Sequence, residues 1–113
     1  MIQVLHNPRC GKSRECLAFL DDSKHEYEVV NYLVAIPAVD ELKSIIKKLG
    51  IKPIELVRQK EELWISKFKD RKLTNAQIIR AMVKHPILIE RPIVINGVKA
   101  VIARPLEKAA KIL

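Results

Sequence analysis

The sequence predicts an α/β fold with a mixed sheet, in the order β-α-β, a helical insertion, then β-β-α. Three observations carry this. Ile2-Gln3-Val4-Leu5 reads as a short strand, Lys12 to Asp22 as a helix, and Glu26 to Tyr32 as a second strand. Strand, helix and strand within ~30 residues open a parallel pair. Near the other end, Ile93-Val94-Ile95 and Val98 to Ile102 flank Asn96-Gly97, the strongest short-range hairpin signal. Between these two blocks the apolar residues recur at helical spacing.

Each element has a local reason. Asn7-Pro8 stops the first strand, and Leu17 and Leu20 carry the helical spacing after Ser13. Tyr27, Val29 and Val30 supply the apolar content of the second strand. Pro37 introduces a helix with Leu42, Ile45, Ile46 and Leu49 on one face, and Gly50 stops it. Pro53 opens a short helical piece through Val57, and Lys60 to Asp70 is ambiguous, with Leu63, Trp64 and Phe68 as its apolar stripe. Thr74-Asn75-Ala76-Gln77 is a capping box for a helix with Ile78, Ile79, Met82 and Val83 inward, ended by His85-Pro86. Arg104-Pro105 starts a last helix, expected to turn Leu106, Ala109, Ala110 and Leu113 inward. The order fits a thioredoxin-like fold: residues 1–113 as a single domain, with a helical insertion at about 37–85. By analogy with that fold, Pro92 is where a cis peptide would lie.

Bulk properties narrow the function. The chain is 49% hydrophobic and 30% charged, which excludes wholesale disorder. No apolar run approaches the ~20 residues that span a bilayer, and the N-terminus lacks a signal-peptide pattern. A cytoplasmic protein with no membrane association is expected. The formal charge is +8, favouring anionic ligands such as oxyanions, glutathione carboxylates or nucleic acid. Aromatics make up only 4%, too few for a stacking platform, and the basic residues are scattered, which argues against nucleic acid.

The chemistry concentrates around Cys10. It falls in a tight turn just before the first helix, where unpaired N–H groups and the helix dipole stabilise an anion. Arg9, Lys12 and Arg14 add cationic charge. A thiol so placed ionises below its reference value of about 8.5 and becomes a nucleophile. Three near-matches fail. A phosphate-binding loop needs Gly where His6 stands, a thiol phosphatase needs Arg where Cys16 stands, and a C-x-x-C dithiol needs Cys where Ser13 stands. Cys16 lies roughly 9 Å along a helix from Cys10, beyond the about 7 Å that a disulfide tolerates. It reads as core filler. No metal-ligand spacing is present, and a reducing compartment fits two unpaired thiols.

His6-Asn7-Pro8-Arg9-Cys10-Gly11-Lys12-Ser13-Arg14 resembles the H-N-P-x-C-x-x-S-R active-site loop of the glutaredoxin-coupled arsenate reductases, within the arsenate reductase/Spx-like superfamily. His85 to Val94 resembles that family's H-P-I-L-I-x-R-P-I-V signature, Leu56-Val57-Arg58 its L-x-R segment, and Ala103-Arg104-Pro105 its later arginine-proline. The resemblance implies that Cys10 is the nucleophile, that Arg58, Arg91 and Arg104 bind the oxyanion, and that His6 and Ser13 help hold the thiolate. Lys12, Arg14 and Pro92 would be accessory. It further implies no bound cofactor, glutathione as co-substrate and glutaredoxin as protein partner, with arsenite released. Two alternatives share the fold: an Spx-like regulator that binds RNA polymerase, and a glutathione-dependent thiol oxidoreductase not specific for arsenate. The first usually carries the C-x-x-C that Ser13 interrupts.

Overall fold

A computed structural model describes residues 2–113 of the chain. Two compact units emerge, one formed by the chain up to Ala35 together with Arg91–Leu113, the other by Ile36–Glu90.

The first unit is built on four strands, β1 (Ile2–His6), β2 (Tyr27–Asn31), β3 (Ile93–Asn96) and β4 (Lys99–Ile102). Their order is β2-β1-β3-β4. The β1–β2 pair is parallel, with Val4 opposite Val29, while β1–β3 and β3–β4 are antiparallel, with Val4 opposite Val94. The mixed sheet is therefore the expected one. Helix α1 (Gly11–Asp22) makes the crossover between the parallel strands. It buries Ser13, Cys16 and Leu20, a spacing of three and four that keeps one face on the sheet. Ile2 and Val4 from β1, Val94 from β3, Ala103 and Ala109 complete that core with Cys16 and Leu20. Fully burying a Leu20-sized side chain contributes about 1.5–3 kcal/mol. That is enough to fix the helix, and hence its N-terminus, against β1.

Two details of this unit depart from expectation. The paired residues Asn96 and Lys99 close the hairpin, so its two loop residues are Gly97 and Val98. Asn96 belongs to the strand. Only Gly97 of the pair has positive φ (+64°), which suits the first central position of a primed turn. The last segment, Leu106–Ile112, is a 3-10 helix. With three residues per turn, Leu106, Ala109 and Ile112 align. Ala109 is buried and Ala110 is exposed, so Ala110 is not a core residue. The Asn96 side-chain amide donates to the Ile112 carbonyl and ties this segment to the hairpin.

The second unit holds α2 (Val39–Leu49), α3 (Glu62–Lys67) and α4 (Asn75–Lys84), with 3-10 turns at Pro53–Leu56 and Pro86–Leu88. Helix α2 starts two residues after Pro37, buries Leu42, Ile45 and Ile46, and ends at Gly50 in the left-handed region (φ 68°). The ambiguous stretch resolves into the short α3, anchored by buried Trp64, which stacks on Phe68 at 5.4 Å. Thr74 caps α4 by accepting from the Gln77 N–H, and the Gln77 side chain accepts from the Thr74 N–H. Ile78, Ile79, Ala81 and Met82 form its buried face.

Candidate active site

The turn after β1 is built by Asn7. Its carbonyl accepts from the Cys10 N–H (3.0 Å), and its side-chain Oδ1 accepts from the Arg9 N–H (3.0 Å). Its own N–H donates to the Oγ of Ser13 (3.3 Å), which is fully buried. Pro8 supplies a fixed φ at the second position of this turn. Cys10 is the N-cap residue of α1, with extended dihedrals and no side-chain cap. Its carbonyl accepts from the Arg14 N–H and starts the helical ladder.

The sulfur consequently lies over the free N–H groups of the first turn. Partial burial pushes the Cys10 thiol up, but the backbone N–H groups of Ser13 and Lys12 and the Arg91 guanidinium, as charge and as donor, together bring it down. The net direction is towards thiolate, as expected for a thiol at a helix N-terminus. Cys16 behaves oppositely. Fully buried, its thiol is pushed up to about 11 by desolvation. Both cysteines are free.

The remaining predicted residues divide. His6 ends β1 on the face it shares with Ile2 and Val4 and is 7% exposed. Its pKa is lowered by burial and by the Arg14 charge, with a Ser13 backbone contact partly offsetting them, and its buried Nδ1 has no hydrogen-bond partner among the described residues. Arg91 is half-buried, followed by a cis bond to buried Pro92. Arg104 is half-buried before cis Pro105. It lines a cleft of ≈ 380 Å³ with Lys12, Glu15 and Glu107, a cleft that Cys10 does not line. Lys12 also makes an exposed pair with Glu15 (3.7 Å). Arg58 belongs to the second unit. There its guanidinium donates to the Ile87 carbonyl (3.2 Å) and pairs with Glu61 (3.4 Å), while its backbone N–H donates to the Leu88 carbonyl.

Asn7 is the residue that the sequence reading undervalued. Asn7-Pro8 ends the strand, and the asparagine is also the side-chain acceptor of an Asx turn, taking the N–H of Arg9. The sequence signal was there. What it could not show is that the same residue would reach Ser13 and so join the strand end to the helix interior.

A cysteine capping the crossover helix of a β2-β1-β3-β4 mixed sheet defines a thioredoxin-like α/β protein. The chain belongs to the ArsC family, whose model matches residues 5–112. It is 46% identical over 112 residues to an arsenate reductase of Haemophilus influenzae, covering 97% of each chain. It is 41% identical to one of Neisseria meningitidis, over 99% of this chain and 97% of that one. The solved arsenate reductase from Vibrio cholerae superposes with a TM-score of 0.94 at 39% identity, covering 99% of this chain and 97% of that one. Among the described residues, no helix is long and apolar enough to cross a membrane, and no His/Cys/Asp/Glu group could hold a metal ion.

Proposed function

We propose that this chain is an arsenate reductase in which Cys10 is the nucleophile. The single observation that carries the reading is a partly exposed thiol on the free N–H groups of α1, with the Arg91 guanidinium against its sulfur. Relatives named arsenate reductase at 41–46% identity over nearly the full chain support the substrate, and they favour the enzyme over the polymerase-binding alternative.

In the proposed cycle the Cys10 thiolate forms an S–As bond with arsenate as one As–O bond breaks, the oxygen leaving as water after protonation. A glutathione thiolate then forms an S–S bond with Cys10. The electron pair of the S–As bond stays on arsenic, which falls from As(V) to As(III) and departs as arsenite. Two thiols have been oxidised and one arsenic reduced, both by two electrons. Glutaredoxin removes the glutathione by thiol exchange. An external thiol is needed because the protein's other cysteine, Cys16, is buried and its thiol is held protonated.

Arg91 stabilises both the thiolate and the oxyanion, since planar guanidinium forks match tetrahedral oxygens. Arg104 serves the oxyanion, and Arg58 enters on its sequence motif alone. Ser13 holds the loop through Asn7, and buried His6 is kept from protonating by desolvation and the Arg14 charge. Lys12 contributes its backbone N–H, and Arg14 adds positive potential at the helix start. Such chemistry suits a reducing cytoplasm.

The test is steady-state turnover of arsenate with glutathione, glutaredoxin and an NADPH-coupled reductase. Cys10→Ser abolishes turnover, and Arg91→Ala lowers kcat/KM by about 10- to 100-fold, the worth of one charged hydrogen bond. Equal rates for wild type and Cys10→Ser overturn the proposal. Turnover of glutathionylated protein untouched by excess arsenate replaces it with the general thiol oxidoreductase.

A further inference from the structure

The second unit contains a cleft that the arsenate chemistry does not use. It lies between the end of α3, the following loop and the side of α4 that carries Gln77, Arg80, Ala81 and Lys84, and its volume is ≈ 430 Å³. Four cations line it, Lys67, Arg71, Arg80 and Lys84, and no carboxylate does. All four are exposed, and among the described residues none is in an ion pair. Lys67 with Arg71, and Arg80 with Lys84, are each four residues apart. The second pair lies within α4, where like charges at that spacing repel. An ordinary solvated helix face intersperses acidic residues, and here the unbalanced charge is gathered around a concavity.

The floor of the cleft is of a different kind. Phe68, Leu73, Ala81 and His85 supply its apolar and flat surfaces. The Phe68 and His85 rings lie 6.0 Å apart at 60°, and Phe68 also stacks on buried Trp64 at 5.4 Å, so the ring is held in place. Burial and the charges of Lys67 and Lys84 keep the pKa of His85 below its ordinary value. At neutral pH its ring is therefore uncharged. Ligand sites commonly have volumes of about 300–1,000 Å³, apolar walls and a few convergent polar groups. A rim of four cations over an aromatic floor matches a ligand with several phosphate charges and one planar ring.

We propose that this cleft binds a free nucleoside polyphosphate, its ring against Phe68 and His85 and its phosphates on the four cations. Its lining residues all belong to the second unit, and it does not depend on the Cys10 chemistry.

Trp64 is the chain's single tryptophan and stacks on the cleft's Phe68, so its fluorescence reports occupancy. Titration of the full chain with ADP should change this fluorescence saturably, more tightly than pyrophosphate or adenosine do. Arg80→Glu, an exposed substitution, should weaken ADP binding by about tenfold or more, the scale of a charge-assisted bond. Phe68→Leu should weaken ADP but leave pyrophosphate unchanged. Amide chemical shifts at Arg71, Gln77 and Lys84 provide a second readout if Phe68→Leu folds poorly. The proposal is overturned by no saturable response to ADP, by pyrophosphate binding as tightly as ADP, or by full affinity in Arg80→Glu. A single-stranded oligonucleotide that displaces ADP and binds more tightly per phosphate overturns it in favour of nucleic acid.

Discussion

Replacing Arg91 with leucine should change the alkylation profile of Cys10 in a way that separates electrostatics from loss of structure. Two unit charges at hydrogen-bonding range attract by about 1 kcal/mol in water and about 4 kcal/mol at the effective dielectric of a protein surface. Cys10 remains partly open to solvent, so the lower part of that range applies. About 1.4 kcal/mol of lost attraction shifts the thiol–thiolate balance about tenfold towards thiol. The thiolate that remains is more basic and intrinsically more reactive. With a Brønsted slope of about 0.4–0.5 this returns about threefold. The variant should thus react about threefold more slowly than wild type at pH values below both titrations. Above both titrations the order reverses, and the variant should be about threefold faster. The assay is iodoacetamide labelling from about pH 5 to about pH 10, with Cys10 occupancy read by mass spectrometry. A profile superimposable on wild type, or slowing by one constant factor at every pH, refutes the reasoning.

Other perturbations test the supporting structure. Ser13→Ala removes the acceptor of the Asn7 N–H in a buried loop and should cost about 1 kcal/mol in a urea titration. Leu20→Ala empties a fully buried position between α1 and the sheet, and should cost about 2–5 kcal/mol by the same measurement. The folded-state pKa of His6 lies below its unfolded value, so the unfolded chain takes up the proton first as the solution is acidified. Stability should therefore be complete above about pH 6.5 and decline as pH falls towards the folded value. In urea midpoints, His6→Gln should flatten that slope. Native protein should alkylate at one cysteine and urea-unfolded protein at two, because the Cys16 thiol is buried and its pKa is raised to about 11. Rapid native labelling of Cys16 would contradict the burial.

The strands, α1, α2 and α4 were legible because each carries a local signal that packing then reinforces. The Asn96-Gly97 dipeptide gave the hairpin, Thr74 with Gln77 gave the start of α4, and Gly50 gave the end of α2. Where the local signal was degenerate, the reading slipped. Asn-Gly-Val allows the turn to centre on either pair, and the β1–β3–β4 register chose Gly97-Val98. The last segment has apolar residues that suit either helical pitch. Packing Leu106, Ala109 and Ile112 along one line selected the three-residue turn and left Ala110 in solvent.

The sequence by itself determined the nature of the reactive centre. A lone thiol just ahead of a helix, flanked by cations and with no partner cysteine at the right spacing, has its ionisation biased by groups within four residues. Such short-range effects are written in the order of residues. Tertiary structure alone decided which distant groups reach that sulfur. Arg91 comes to Cys10 because β3 pairs with β1, a closure across more than half of the chain that no local spacing encodes. It also decided the fate of His6, at the end of β1, and Cys16, on α1, whose protonation follows from their burial. Desolvation belongs to the packed core, and a sequence pattern specifies it only once the faces have met.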